Sequence, residues 1–310
     1  MAWVKGERKD GVILSDDNID FRGTITGVGG VQAIPPKRAI NYYVNKLSGS
    51  DTRGSGKSWE GAYATIEKAI TAANATLDWS TSPWADNHVI HIAPGKYAEN
   101  LTAMPYGATI LGYGDSWDLD GENGVCIAPA TGAAVDVTSI INSVIYNVAF
   151  MQVASAGALF QVDNFNRNTL QHCVFAGIPG ASPTTTRGFE VVKDMTGSRL
   201  LDCFFMQCKT GIYINTDNAN SKQISGTIFD RITIACADTA GFHFDANCTP
   251  AGVYVLNSNV GDNSTTLALG MDDDSDGVTV ANTNFWATAN DPATGGTYYN
   301  NCYLNGTLIT

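Results

Sequence analysis

Basic residues are scarce in this sequence, and none follows Arg231. Of 310 residues, 18 are Lys or Arg and 30 are Asp or Glu, for a formal net charge of −12. So acidic a surface has little to offer a phosphate backbone, and no nucleic-acid partner is expected. Glu is scarcer still, with 6 against 24 Asp. Glu favours helix interiors and Asp favours turns and caps, which argues against a helical bundle. No apolar run reaches the ~18 residues of a membrane span. The seven cysteines include no CxxC pair, and an odd number suits neither a disulfide framework nor a zinc site. Buried, reduced thiols are expected instead. The opening MAWVKGERKDGV lacks the apolar stretch of a secretory signal.

What is present is glycine, 32 residues of it, in a chain that is 44% hydrophobic. Together with abundant Asn and Thr this reads as many short strands joined by tight turns. Residues 1–40 read as an extended arm closed by Pro35-Pro36. Residues 41–130 open on a strand, Ile40 to Val44, and hold the only convincing helix, Trp59 to Ala75. Its apolar residues recur every three or four positions, and Ser58 is the expected N-cap. Strands follow at His88 to Ile92 and Thr109 to Leu111, with a turn at Pro94-Gly95.

Residues 131–310 repeat. Seven segments place Asn, Asp or His between apolar residues, centred on Asn147, His172, Asp202, Asp230, Asn257, Asn282 and Asn301. Roughly ten residues after several of these, a second strand begins with glycine, at Gly157, Gly188, Gly211 and Gly241. A period in the twenties with short strands and no helix means a β-solenoid, each coil burying its apolar face against the next. The corner Asn and Asp tolerate left-handed backbone and can bond up the stack as a ladder. The helix stands where the first coil needs a cap.

Tyr42 to Asn45, the Gly-Ser-Asp loop at 49–51, Gly61 to Ile66 and Ile90 to Glu99 resemble the opening of right-handed parallel β-helix proteins of the pectin-lyase-like superfamily. The resemblance covers roughly residues 40–305. It implies an all-β, single-stranded right-handed parallel β-helix with a capping helix. Within that superfamily the chain looks most like phage virion proteins: tail spikes, head fibres or capsid decoration proteins. That likeness implies a homotrimer at the virion surface, held to capsid or tail proteins through residues 1–40.

Alternation along the glycine-started strands sends Phe189, Ile212 and Phe242 inward. Gln161, Glu190, Tyr213 and His243 then share an outward ladder, with Val192, Asn215 and Asp245 two residues further on. Such a row could bind host surface glycan, and Glu190 with Asp245 could serve as an acid–base pair of an inverting hydrolase. The plain alternative is a solvated or trimer-facing surface. Asp272, Asp274 and Asp276 alternate before Gly277 like a fragment of a calcium loop, without the closing Glu. An acidic turn is the favoured reading there, and no cofactor is expected. His172 reads as a turn residue. His88 and His91 face opposite ways, and Cys173, Cys203 and Cys302 share one buried register.

The first functional reading is therefore a structural virion-surface protein. The alternatives are a glycan-cleaving spike acting through Glu190 and Asp245, and a glycan-binding module using Tyr213, His243, Asn215 and Gln161.

Overall fold

The computed structural model describes residues 7–9, 12–14, 25–26, 32–33, 40–76, 88–152, 157–177, 187–214, 222–235, 239–245, 248–261, 267–273, 277–292 and 298–309. The chain divides into two compact units, Met1–Lys37 and Arg38–Thr310. The first holds two antiparallel strand pairs, Glu7–Lys9 with Val12–Leu14 and Ile25–Thr26 with Gln32–Ala33.

The second unit is a parallel β-helix. Sheet 1 has ten strands, from Asn41–Val44 to Tyr298–Asn300. Sheet 2 also has ten and starts at Gly95–Tyr97. Sheet 3 has nine and starts at Val135–Ile141. Successive coils stack in step: Ile145 pairs with Ile110 on one side and Leu170 on the other. Three sheet 1 strands, Asn41–Val44, Val89–Ile92 and Thr109–Gly112, precede the first sequence repeat, so the solenoid is longer than its repeats suggest. Sheets 1 and 2 run unbroken past residue 130.

Every second strand residue turns inward and fills one column. Phe150, Phe175 and Phe205 stack through it, with Phe175 and Phe205 4.5 Å apart and 4° from parallel. Each such ring removes enough apolar surface from water to contribute about 2–3 kcal/mol. Gly188 and Gly211, second in their sheet 3 strands, are there for space, whereas Gly157 precedes its strand and a Cβ there would meet nothing within 4 Å. A Cβ on Gly188 would stand 2.6 Å from the Gly211 carbonyl oxygen and 2.7 Å from Phe205.

Each regular coil turns at two left-handed residues. The corner between sheets 1 and 2 falls at Asn147, His172, Asp202, Arg231, Asn257, Asn282 and Asn301, all with φ between 50° and 59°. In the fourth repeat the centre is Arg231 and not Asp230, and Ile234 follows it by three residues as Phe150 follows Asn147. Arginine is costly in this conformation. Here its guanidinium holds Asp202 with two hydrogen bonds and also ion-pairs with Asp230. Asp230 then accepts from Asn257 at 2.8 Å, Asn257 from Asn282 at 3.2 Å, and Asn282 from Asn301 at 2.9 Å. The second corner, between sheets 3 and 1, lies five residues earlier, at Asn142, Arg167, Gly197, Gly226, Gly252 and Gly277.

Just inside several of the corners sits a small donor, while Val148, Ile232, Val253 and Val278 take that place at others. Cys173, Cys203 and Cys302 each point a thiol at the carbonyl two residues back, as the Ser143, Ser198, Ser258 and Thr283 hydroxyls do. The shared cysteine register is thus a corner-sealing position, and burial pushes the Cys203 thiol up.

The helix spans Ile66–Ala75, shorter than the expected Trp59 to Ala75, and its N-cap is Thr65 in place of Ser58. Residues 59–65 are claimed by other bonds. Tyr63 bridges to Val44, and the Asp51 carboxylate accepts from the Ala64 and Thr65 amides. Glu99 takes the Ile66 and Glu67 amides at the helix N-terminus, at 3.0 and 2.9 Å. Ile66, Ala69, Ile70 and Ala73 close the first coil, as a cap must. Gly95 begins the strand Gly95–Tyr97 and is not a turn. At the other end Thr307–Ile309 folds back antiparallel on Cys302–Leu304 through Asn305-Gly306, both at positive φ.

Candidate functional site

The outer side of sheet 3 carries a continuous polar row. Register pairs Asp136 with Gln161, Gln161 with Glu190, Glu190 with Tyr213, Tyr213 with His243, and His243 with Asp272. Coils are about 4.8 Å apart, so Glu190 and His243 lie roughly 10 Å apart along the axis. Phe189, Ile212 and Phe242 on the same strands are fully buried in the core.

Five side chains on and beside this row lock together. The Arg187 guanidinium donates to Glu190 at 2.5 Å and stands 4.1 Å from the centre of the Tyr213 ring. The Tyr213 and His243 rings lie 4.6 Å apart at 46°. The Tyr213 hydroxyl donates to Asp245. Burial pushes the Tyr213 phenol above its ordinary value; Arg187 opposes this, while the Asp245 and Glu190 charges add to it. Glu190 is only 3% exposed, although alternation alone makes it a surface residue. Arg187 covers it.

Alternation hid Arg187 as well, because position 187 shares parity with inward Phe189. At the first residue of its strand, followed by Gly188, the side chain swings outward instead. The signal that could have found it is the unmatched cation beside a glycine-started strand.

Gln161 is half-buried on the row, and so is Asp245. Asn215 lies outside the described residues, as do Asp274 and Asp276, so the calcium-loop reading falls there too. Asp272 is described only as backbone, at the end of Leu267–Asp273. Among the described residues no group of three acidic, His or Cys side chains could hold a metal. His172 occupies a corner with φ 53° and meets Tyr146 edge-on.

A second cluster escaped the sequence reading. Trp59, placed there on the helix's apolar face, lies outside the helix and 38% exposed. It packs edge-on against both Tyr43 and Tyr113. His91 stacks between those two tyrosines and bonds Tyr113 at 3.0 Å and Asn41 at 3.1 Å. Burial lowers the His91 pKa. His88, buried on the opposite side, accepts from the Ile40 amide. On the outer side of sheet 2 an apolar cluster, with Cys126, Met151 and Val174, packs against Leu119 and Phe204. Trp117 lies 4.3 Å from Phe204.

No known family model matches the chain, and no curated protein does. Solved structures do. A pectin methylesterase mutant in complex with a hexasaccharide aligns over 88% of this chain and 92% of its own, at 14% identity and TM-score 0.51. The Aspergillus niger pectin methylesterase aligns over 87% of each chain, at 17% identity and TM-score 0.49. The first of these shows the fold: a right-handed parallel β-helix such as the pectin methylesterase has.

Proposed function

We propose that this β-helix binds carbohydrate on the outer row of sheet 3 without cutting it. We further propose that it is a homotrimeric phage virion-surface protein, attached to capsid or tail proteins by its first forty residues. The observation that carries the binding reading is the Arg187–Glu190–Tyr213–Asp245 cluster. It offers an aromatic ring and fixed polar groups on a sheet face, the combination that orients a polyhydroxylated ligand. The hexasaccharide bound to the pectin methylesterase neighbour supports a saccharide as the ligand class.

The hydrolase alternative asks more of the same residues. An inverting pair needs a gap of about 6.5–9.5 Å that holds sugar and water. Between Glu190 and Asp245 stand the Tyr213 side chain and the Arg187 guanidinium, and Glu190 is already ion-paired. The separation of residues 1–37 from the β-helix as a compact unit of their own supports the anchoring arm.

The test is retention of the protein on polysaccharide from host envelopes. Tyr213→Ala should abolish retention. Removal of residues 1–37 should preserve retention and abolish incorporation into particles. Release of oligosaccharide by the wild type that ceases in Glu190→Gln would restore the hydrolase reading.

A further inference from the structure

From the charges around the sheet 3 row we infer that its ligand is an uncharged glycan, and that uronate, sialylated or sulfated chains are rejected. This inference rests on the carbohydrate-binding reading above. Within strands 135–141, 158–166, 187–196, 210–214 and 240–244 the only Lys or Arg residues are Arg187 and Lys193. Neither is offered to a ligand as a lone cation. Arg187 holds Glu190 at 2.5 Å, and Lys193 holds Asp163 at 2.7 Å. Asp136, Asp194 and Asp245 add three carboxylates to the same face. Asp136 is exposed beside Gln161, and Asp194 sits next to Lys193.

Recognition of an acidic sugar needs a cation or an amide cradle at the carboxylate, because its desolvation must be offset. Here both cations already pair with carboxylates of the same sheet, and the remaining carboxylates leave the field negative. The Debye length at physiological salt is about 8 Å, longer than the spacing of adjacent coils, so neighbouring carboxylates act on a bound sugar together. Hydroxyl-rich neutral sugars meet no such opposition. Their hydroxyls donate to carboxylates such as the exposed Asp136.

The pairing of Arg187 with Glu190 makes the inference testable in both directions. Intact protein is run through gels loaded with a galactan, a mannan, a glucan, a xylan or polygalacturonate, at about 0.15 M salt. Retardation by at least one neutral polymer and none by polygalacturonate is expected. Glu190→Gln frees the guanidinium, and polygalacturonate affinity should then rise at least about tenfold, the worth of one charge-assisted hydrogen bond. Should that variant not fold, Asp136→Asn with Asp194→Asn, a change at the rim of the row, should raise polygalacturonate affinity in the same direction. Polygalacturonate retarding the wild type as strongly as any neutral polymer overturns the charge selection. Retardation by no polymer at all removes the carbohydrate-binding reading itself, and this inference with it.

Discussion

Arg187 and Glu190, three residues apart on one strand, form an ion pair on the outer side of sheet 3 that leaves the carboxylate almost without solvent contact. That pair decides how the whole row is read. It converts a candidate acid into a structural anion and uses the cation best placed to meet an anionic ligand.

Breaking the pair from one side should be costly. Arg187→Gln removes the guanidinium that pairs with and covers Glu190, which should destabilise the fold by about 1–2 kcal/mol, below the cost at a fully buried pair because Arg187 is partly in solvent and the uncovered carboxylate regains water. The double variant with Glu190→Gln should recover most of that loss. Urea unfolding reads both, and a loss under about 0.5 kcal/mol for the single variant would mean that the pair is solvated.

The asparagine ladder separates backbone strain from hydrogen bonding. Asn282→Gly keeps the left-handed corner and removes the bonds to Asn257 and Asn301, so about 1 kcal/mol should be lost. Asn282→Ala adds the strain of a Cβ at φ 51° and should lose about 1 kcal/mol more. Equal losses for the two would contradict a left-handed requirement at that corner.

Two carboxylates should shape the acid limb of stability in opposite directions. Burial raises Glu99 above its ordinary value of 4.5 despite the helix amides it accepts. The folded state therefore holds that proton more tightly than the unfolded chain. The resulting stability is full below 4.5 and is lost as pH rises through the raised value. Arg231 lowers Asp202 below 3.8, so its contribution is present above 3.8 and disappears as pH falls through the lowered value. Stability curves of Glu99→Gln should flatten just above pH 4.5, and those of Asp202→Asn below 3.8. Unchanged slopes in both variants would contradict these assignments.

The buried thiols Cys203 and Cys208 should be inert. Cys203 is buried with its pKa raised, and burial pushes Cys208 up to about 12. Iodoacetamide at pH 8 should label neither in the folded protein and both in denaturant, read by mass spectrometry. Rapid labelling of Cys203 in the native state would show that the corner opens.

How far the sequence exposed this architecture depended on whether a feature repeats. The inward aromatics and the Asn and Asp corners recur coil after coil, so period and alternation made them legible. Arg231 broke the pattern because its chemistry is unlike asparagine's, and Asp230 beside it made a false match. The second corner is glycine in four coils and Asn142 and Arg167 in the first two, a signal diluted by glycines elsewhere. The helix start was set by Asp51 and Glu99, which reach it across 14 and 33 residues and leave no local trace. The row of Gln161, Glu190, Tyr213 and His243 could be placed by register alone. The cover that Arg187 lays over it could not, because a strand-end side chain escapes alternation.

The most direct test of carbohydrate binding without cleavage is native mass spectrometry of the protein incubated with a panel of neutral hexasaccharides. The account predicts a complex whose sugar remains full length after prolonged incubation, and no complex in Tyr213→Ala. Shortened sugar, or a complex undiminished by Tyr213→Ala, would contradict it.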